Sequence, residues 1–205
     1  AVGGDYYDVS AGDGRVIWRV ADVTGHGIQA ALTSMLLKAI FQETASRASR
    51  PVQLLADMNS RLHRFLPEGM FATATVVELG ADGHRVQITN AGLPHPFVLS
   101  SGRKADVQQI PLSGLPLGLL PQAGPDQLDS RELEINLGDH LLVTSDGVGE
   151  IRGDNGEVFE EHALLQSLVE MRDKDGGHVV RNLVERALAF GGADGVSDGQ
   201  LTVRL

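Results

Sequence analysis

Four short motifs, each with an aspartate next to a glycine or a glycine-containing turn, lie far apart along this 205-residue chain. The aspartates are Asp5, Asp22, Asp146 and Asp198. Each stands where an apolar, strand-like run meets a turn, so a fold can bring all four to one edge of a sheet. Carboxylates gathered in one volume repel each other unless cations fill it. The spacing therefore predicts a metal site, and oxygen ligands favour Mg²⁺ or Mn²⁺ over Zn²⁺.

Two such cations roughly 4 Å apart can support an in-line displacement at phosphorus, which makes a two-metal phosphatase our leading hypothesis. Asp-Gly is also a common turn dipeptide. It recurs at 13–14, 82–83, 175–176 and 194–195, where a turn is the simpler interpretation. Asp146 follows the apolar run 141–143, which favours a functional role, whereas a solvated turn remains an alternative for Asp198. Asp8 is interpreted as a structural residue that bonds its own loop.

The composition excludes several classes of protein. A hydrophobic content of 42% allows one well-packed domain over residues 1–205. The formal net charge of −10, with scattered basic residues, argues against nucleic acid as a ligand. No apolar run reaches the length of a membrane span, and the chain has no cysteine. We therefore expect a cytoplasmic domain without disulfides, thiol chemistry or a membrane partner.

Hydrophobic periodicity predicts a first strand and two helices in the amino-terminal third. The strand, Arg15–Val23, leads into Asp22, and a helix opens at 25–27 with the 3.6-residue spacing of a helix packed on a sheet. Its predicted buried face consists of Ile28, Ala31, Leu32, Met35, Leu36, Ala39 and Ile40. A second helix is predicted from Pro51, a favoured first position.

From Phe71 the apolar period changes to two, and a turn at 81–83 predicts an antiparallel hairpin. Further strands are predicted near 97–100, 131–135, 140–144 and 200–205, and helices near 160–172 and 177–190. Strands grouped apart from helix pairs indicate an α+β fold of antiparallel sheets with helices on their outer faces.

The motifs, taken in order, resemble the SpoIIE/RsbU-type domain of the PPM (type-2C-like) metal-dependent serine/threonine phosphatases. They read G-G-D-Y-Y-D from residue 3, A-D-V-T-G-H-G from 21, N-A-G-L-P-H-P from 90, G-L-P-L-G-L from 114, T-S-D-G-V-G-E from 144 and S-D-G-Q-L-T-V from 197. The resemblance implies a four-layer α-β-β-α sandwich of two antiparallel sheets flanked by helix pairs. It also implies two divalent cations, Mn²⁺ or Mg²⁺.

By this resemblance, Asp22 bridges both ions and the backbone carbonyl of Val23 helps to hold one of them. Asp146 and Asp198 complete the second ion, and Asp5 holds the first directly or through water. A hydroxide that bridges the ions then attacks phosphoserine or phosphothreonine. His26 is a candidate general acid for the leaving oxygen, with a structural role at the helix start as the alternative.

The resemblance further implies a phosphorylated regulatory protein, of the anti-sigma-factor-antagonist type, as substrate. We also expect the chain to be the carboxy-terminal part of a longer protein with an upstream sensor or receiver domain. Three positions depart from the family pattern, namely Leu93, Gly149 and Gly199. They leave open a second hypothesis, a catalytically weak phosphatase fold that docks a partner in a signalling protein.

A third hypothesis is a nucleotide cyclase of the Gly-Gly-Asp-Glu-Phe type, suggested by residues 3–5 alone. It fails because Tyr6 and Tyr7 replace the acidic and aromatic pair. No phosphate-cradling glycine-rich loop with lysine follows.

Overall fold

The computed structural model describes residues 3–45, 50–102, 106–191 and 202–204. The chain divides into two compact units, one formed by the residues through Leu93 with Leu112–Ile135, and the other by Pro94–Pro111 with the residues from Asn136 onward. None of the described helices is both long enough and apolar enough to cross a membrane.

The first unit is a five-stranded antiparallel sheet with a pair of helices on one face. Its strands run in the order β1-β2-β3-β4-β7. They are β1 (Tyr6–Gly12), β2 (Arg15–Val23), β3 (Ala72–Leu79), β4 (Arg85–Ala91) and β7 (Asp129–Glu134). Helices α1 (Gly27–Ala45) and α2 (Pro51–Phe65) share one hydrophobic core with alternate residues of the sheet.

The second unit is a four-stranded antiparallel sheet with its own helices. Its strand order is β6-β5-β8-β9. The strands are β5 (Phe97–Leu99), β6 (Val107–Gln109), β8 (His140–Thr144) and β9 (Thr202–Arg204), and the helices are α3 (Asp146–Gly149), a π-helical turn (Glu160–Leu164), α4 (Leu165–Met171) and α5 (Gly176–Gly191). Phe159 meets Phe190 edge-on in the core that α4 and α5 share with this sheet.

The predicted α+β class is confirmed, since both sheets are antiparallel and each carries a helix pair. The strand Arg15–Val23 and the helix start at Pro51 have the predicted positions. Strands β1 and β6 and the short helix α3 are additional to the predicted elements.

The predicted buried face of α1 is wrong for Ile28, Leu32 and Met35, which are 77%, 62% and 70% exposed. Ile40 is buried as predicted, but it lies in a stripe with Ala30, Leu37 and Phe41, which were not predicted. Apolar residues cover most of the circumference of α1, so the 3.6-residue period alone does not tell which side meets the sheet.

A fully buried amide, Asn90, holds the irregular chain that follows β4. Its Oδ1 accepts hydrogen bonds from the Thr75 hydroxyl (2.9 Å) and the Leu93 amide (3.1 Å). Its Nδ2 donates to the carbonyls of Leu93 and Leu112, each at 2.8 Å. The segment 90–93 is therefore a turn that braces the chain rather than a catalytic element.

We predict that Asn90→Ala lowers the free energy of unfolding by about 3 kcal/mol, because it leaves several buried polar groups without partners. Thermal and urea denaturation measure this. Asn182→Ala is the control, since the Asn182 amide bonds only its own helix, to the His178 carbonyl at 3.0 Å. Equal effects of the two substitutions would contradict the bracing role.

Candidate metal centre

Asp22 is the penultimate residue of β2 and is half-buried. It pairs with Thr73 of β3, whose hydroxyl donates to the Asp22 carbonyl at 3.4 Å. Immediately after the strand, Thr24 bonds the backbone of Phe71, with its amide and its hydroxyl each 3.1 Å from the Phe71 carbonyl. The chain on both sides of Asp22 is thus tied to β3.

Asp5 directly precedes β1, next to the end of β2 that carries Asp22. The register of β1 on β2 ends with Tyr6 paired to Ala21, and its continuation by one residue would place Asp5 opposite Asp22. Directly opposed residues of an antiparallel pair point to the same face, with Cβ atoms about 5 Å apart. Carboxylates brought near one another attract a cation.

Asp22 lies on the face of the sheet that is turned away from the helices. Tyr6 and Ala21 belong to the core that the sheet forms with α1 and α2. Since successive side chains of a strand alternate between faces, Asp22 projects from the opposite face. Its carboxylate therefore does not compete with the apolar packing of this unit.

Gly4 marks the point at which the oxygens of this site converge. A Cβ at residue 4 would clash with the Val23 carbonyl oxygen and would stand 2.9 Å from Asp22 Oδ1. The carbonyl of Val23 and the carboxylate of Asp22 therefore border one small space beside the Gly4–Asp5 segment. Only glycine leaves that space open.

This donor set fits a hard divalent cation. It consists of two carboxylates and one backbone carbonyl, and it contains no sulfur or imidazole. Mg²⁺ commonly keeps several waters and takes only one or two carboxylates from the protein. Among the described residues, no group of three or more histidines or acids is placed to hold a metal ion.

His26 is exposed and lines a cleft of about 270 Å³ in the loop that follows Asp22. The other lining residues are Thr24, Gly25, Gln29, Ala30, Gly69 and Met70. The Gln29 amide donates to the Met70 sulfur at 3.3 Å, which joins the first turn of α1 to the segment before β3. His26 has the accessibility that a general acid needs. Gln29 and Met70, which the sequence did not single out, line the same cleft.

Asp146 belongs to the second unit, where it is exposed as the first residue of α3, directly after β8 and the buried Ser145.

Gly149, the last residue of α3, lies close to Glu160. A Cβ there would stand 2.9 Å from Glu160 Oε2 and 3.2 Å from Glu160 Cβ. The Glu160 side chain thus occupies the space of a larger residue 149. Asp198 lies outside the described residues.

The structure brings the Asp22 carboxylate and the Val23 carbonyl together beside Gly4, the residue before Asp5. That these groups hold an ion stays a prediction. The structure also reveals a residue that the sequence did not indicate, Ser34, whose hydroxyl donates to the Gly4 carbonyl at 2.6 Å. A serine within an apolar helix carries no motif, so only its three-dimensional contact identifies it.

Comparison with known proteins identifies a matching family and a related phosphatase. The sequence profile described as Stage II sporulation protein E (SpoIIE) matches residues 12–200. Phosphoserine phosphatase RsbU of Bacillus subtilis (strain 168) is 29% identical over 167 residues, which are 82% of this chain and 48% of that protein. The chain thus spans about half the length of this curated relative.

Two solved structures show the same fold. The SiaA-PP2C domain of Pseudomonas aeruginosa superposes with a TM-score of 0.83 at 18% identity, over 99% of this chain and 80% of that one. The catalytic domain of the serine threonine protein phosphatase PstP, in complex with two manganese ions, gives a TM-score of 0.65 at 20% identity, over 100% and 90% of the two chains. The predicted PPM-like fold is confirmed.

We predict that Gly4→Ala lowers the free energy of unfolding by about 2 kcal/mol, because the new Cβ must displace the Val23 carbonyl or the Asp22 carboxylate. Urea denaturation measures the change. Gly12→Ala, at the other end of β1, is the matched control because nothing lies within 4 Å of its ideal Cβ. If Gly4→Ala is as well tolerated as Gly12→Ala, the oxygens do not converge at residue 4.

A second prediction concerns the turn that carries Asp146. Gly149→Thr is expected to cost about 1 to 2 kcal/mol of stability, since the added atoms overlap Glu160. Glu160→Ala in the same chain is expected to restore most of the loss. If the double variant is no more stable than Gly149→Thr alone, Glu160 is not the residue that requires a glycine here.

Proposed function

This chain belongs to the Stage II sporulation protein E (SpoIIE) family, and on that premise we propose that it is a metal-dependent phosphatase acting on phosphoserine or phosphothreonine of a regulatory protein. The observation that carries the proposal is the convergence of the Asp22 carboxylate and the Val23 carbonyl beside Gly4, the residue before Asp5. The relative RsbU, a phosphoserine phosphatase, supports the substrate class. We treat residues 1–205 as one catalytic domain of a longer protein.

In this proposal each candidate metal ligand of the first unit has its own role. Asp22 and Asp5 supply negative charge from adjacent strands, and the Val23 carbonyl adds a neutral oxygen. Bound at these oxygens, Mn²⁺ or Mg²⁺ would provide an activated water at neutral pH and neutralise the phosphoryl oxygens. The manganese in the PstP structure supports the choice of cation.

The proposal extends to Asp146 and Asp198 as ligands of a second ion. The motif around each supports the assignment, and Asp146 is exposed at the start of α3, where its carboxylate is accessible. His26 is proposed to donate a proton to the leaving serine oxygen, because its exposed imidazole lines the cleft beside the loop that follows Asp22. The substrate is a phosphorylated protein of the anti-sigma-factor-antagonist type, and an upstream sensor or receiver domain regulates the activity.

The direct test is phosphate release from a phosphoserine peptide and from an aryl phosphate, with and without millimolar Mn²⁺. We predict that Asp22→Asn and Asp146→Asn each reduce Mn²⁺-dependent release by at least about 100-fold, since losing a residue that merely orients a metal ligand already costs about 10- to 100-fold. Asp13→Asn is the control, because Asp13 lies in the β1–β2 turn with φ 51° and asparagine accepts that conformation.

Equal losses in Asp22→Asn and Asp13→Asn would contradict the assignment of the site. Saturable Mn²⁺ binding without release from either small substrate would indicate a strict requirement for the protein substrate. A parent chain that neither binds Mn²⁺ nor releases phosphate would instead favour the docking module.

A further inference from the structure

Helix α1 contacts the chain immediately before Asp5. The Ser34 hydroxyl lies 2.6 Å from the Gly4 carbonyl oxygen and 3.0 Å from the carbonyl of Ala30 in its own helix. Ser34 is only 9% exposed, and Gly4 is buried. The contact therefore links the helix to Gly4 in a place that water reaches poorly, where a lost donor is costly.

The same helix contacts the chain immediately after Asp5. The ring of Tyr6 stacks on Phe41 of α1, with centroids 5.8 Å apart and an interplanar angle of 18°. Both rings are buried. The Tyr6 hydroxyl donates to Asp8 at 3.0 Å, and burial followed by this bond raises the pKa of Tyr6 above its ordinary value. Asp8 is thus a structural residue, as the sequence predicted.

The residues on both sides of Asp5 are consequently in contact with α1. We propose that Ser34 is a positioning residue for Asp5, acting through the Gly4 carbonyl to fix where the Asp5 carboxylate stands relative to Asp22. The inference rests on the proposed function in so far as Asp5 and Asp22 hold a cation.

The Gly4 peptide lies beside the Val23 carbonyl and the Asp22 carboxylate, which a Cβ at residue 4 would contact. In Ser34→Ala the Gly4 carbonyl loses its buried donor and can turn toward solvent, which carries Asp5 away from Asp22. The packing of Tyr6 on Phe41 does not depend on this hydroxyl, so the fold itself survives.

Thr33 provides a matched control on the same turn of α1. It is 8% exposed, and its hydroxyl donates only within the helix, to the Gln29 carbonyl at 3.0 Å. Thr33→Ala removes a comparable hydroxyl without touching Gly4. Both variants would be compared with the parent chain by isothermal titration with Mn²⁺ and by hydrogen exchange of peptides that cover residues 4–8.

We expect Ser34→Ala to weaken Mn²⁺ binding by about 10-fold, the usual cost of losing a group that orients a ligand, and to speed exchange over residues 4–8. Phosphate release at saturating Mn²⁺ should approach the parent rate. Thr33→Ala should change neither the binding nor the exchange at residues 4–8.

Unchanged exchange at residues 4–8 in Ser34→Ala would overturn the inference, as would equal weakening of Mn²⁺ binding in both variants. A parent chain that does not bind Mn²⁺ would contradict the proposed function instead. In that case the exchange measurement still decides whether Ser34 holds the segment before Asp5.

Discussion

The pairing of β1 with β2 is the interaction on which the candidate site depends. It ends at the pair of Tyr6 with Ala21, directly beside Asp5 and Asp22, which places two acidic residues at the end of a sheet. Surrounding contacts hold the chain in this region. The bonds of Thr24 to Phe71 and of Ser34 to Gly4 do so from two directions. A bound cation would attract both carboxylates.

Buried amide side chains likewise hold the irregular segments of the first unit in place by hydrogen bonds. Asn90 closes the turn after β4 with four hydrogen bonds. Asn59 of α2 accepts from the Gly118 amide at 2.8 Å and donates to the Leu120 and Ala123 carbonyls at 2.9 Å. Glycine- and proline-rich chain forms no regular ladder, so these side chains supply the partners that its backbone groups need.

One departure from the family pattern has a local physical explanation. Gly149 ends the short helix that starts at Asp146, and the Glu160 side chain fills the space where a larger residue would stand. Glycine at position 149 therefore fits beside the Glu160 side chain, which a larger residue would overlap. Leu93, a second departure, is 4% exposed and bonds Asn90 through its backbone, so its side chain serves the interior. Neither position removes a carboxylate from the candidate site.

Local patterns in the sequence were enough to predict the α+β class and the strand that ends near Asp22, because period-two and period-3.6 patterns are properties of short segments. The buried side of α1 could not be predicted in this way, since Ile28 and Leu37 are both apolar and which of them is buried depends on how the helix packs on the sheet. The same holds for Ser34 and Glu160. Their roles arise from contacts across 30 residues with Gly4 and across 11 with Gly149, which no local pattern encodes.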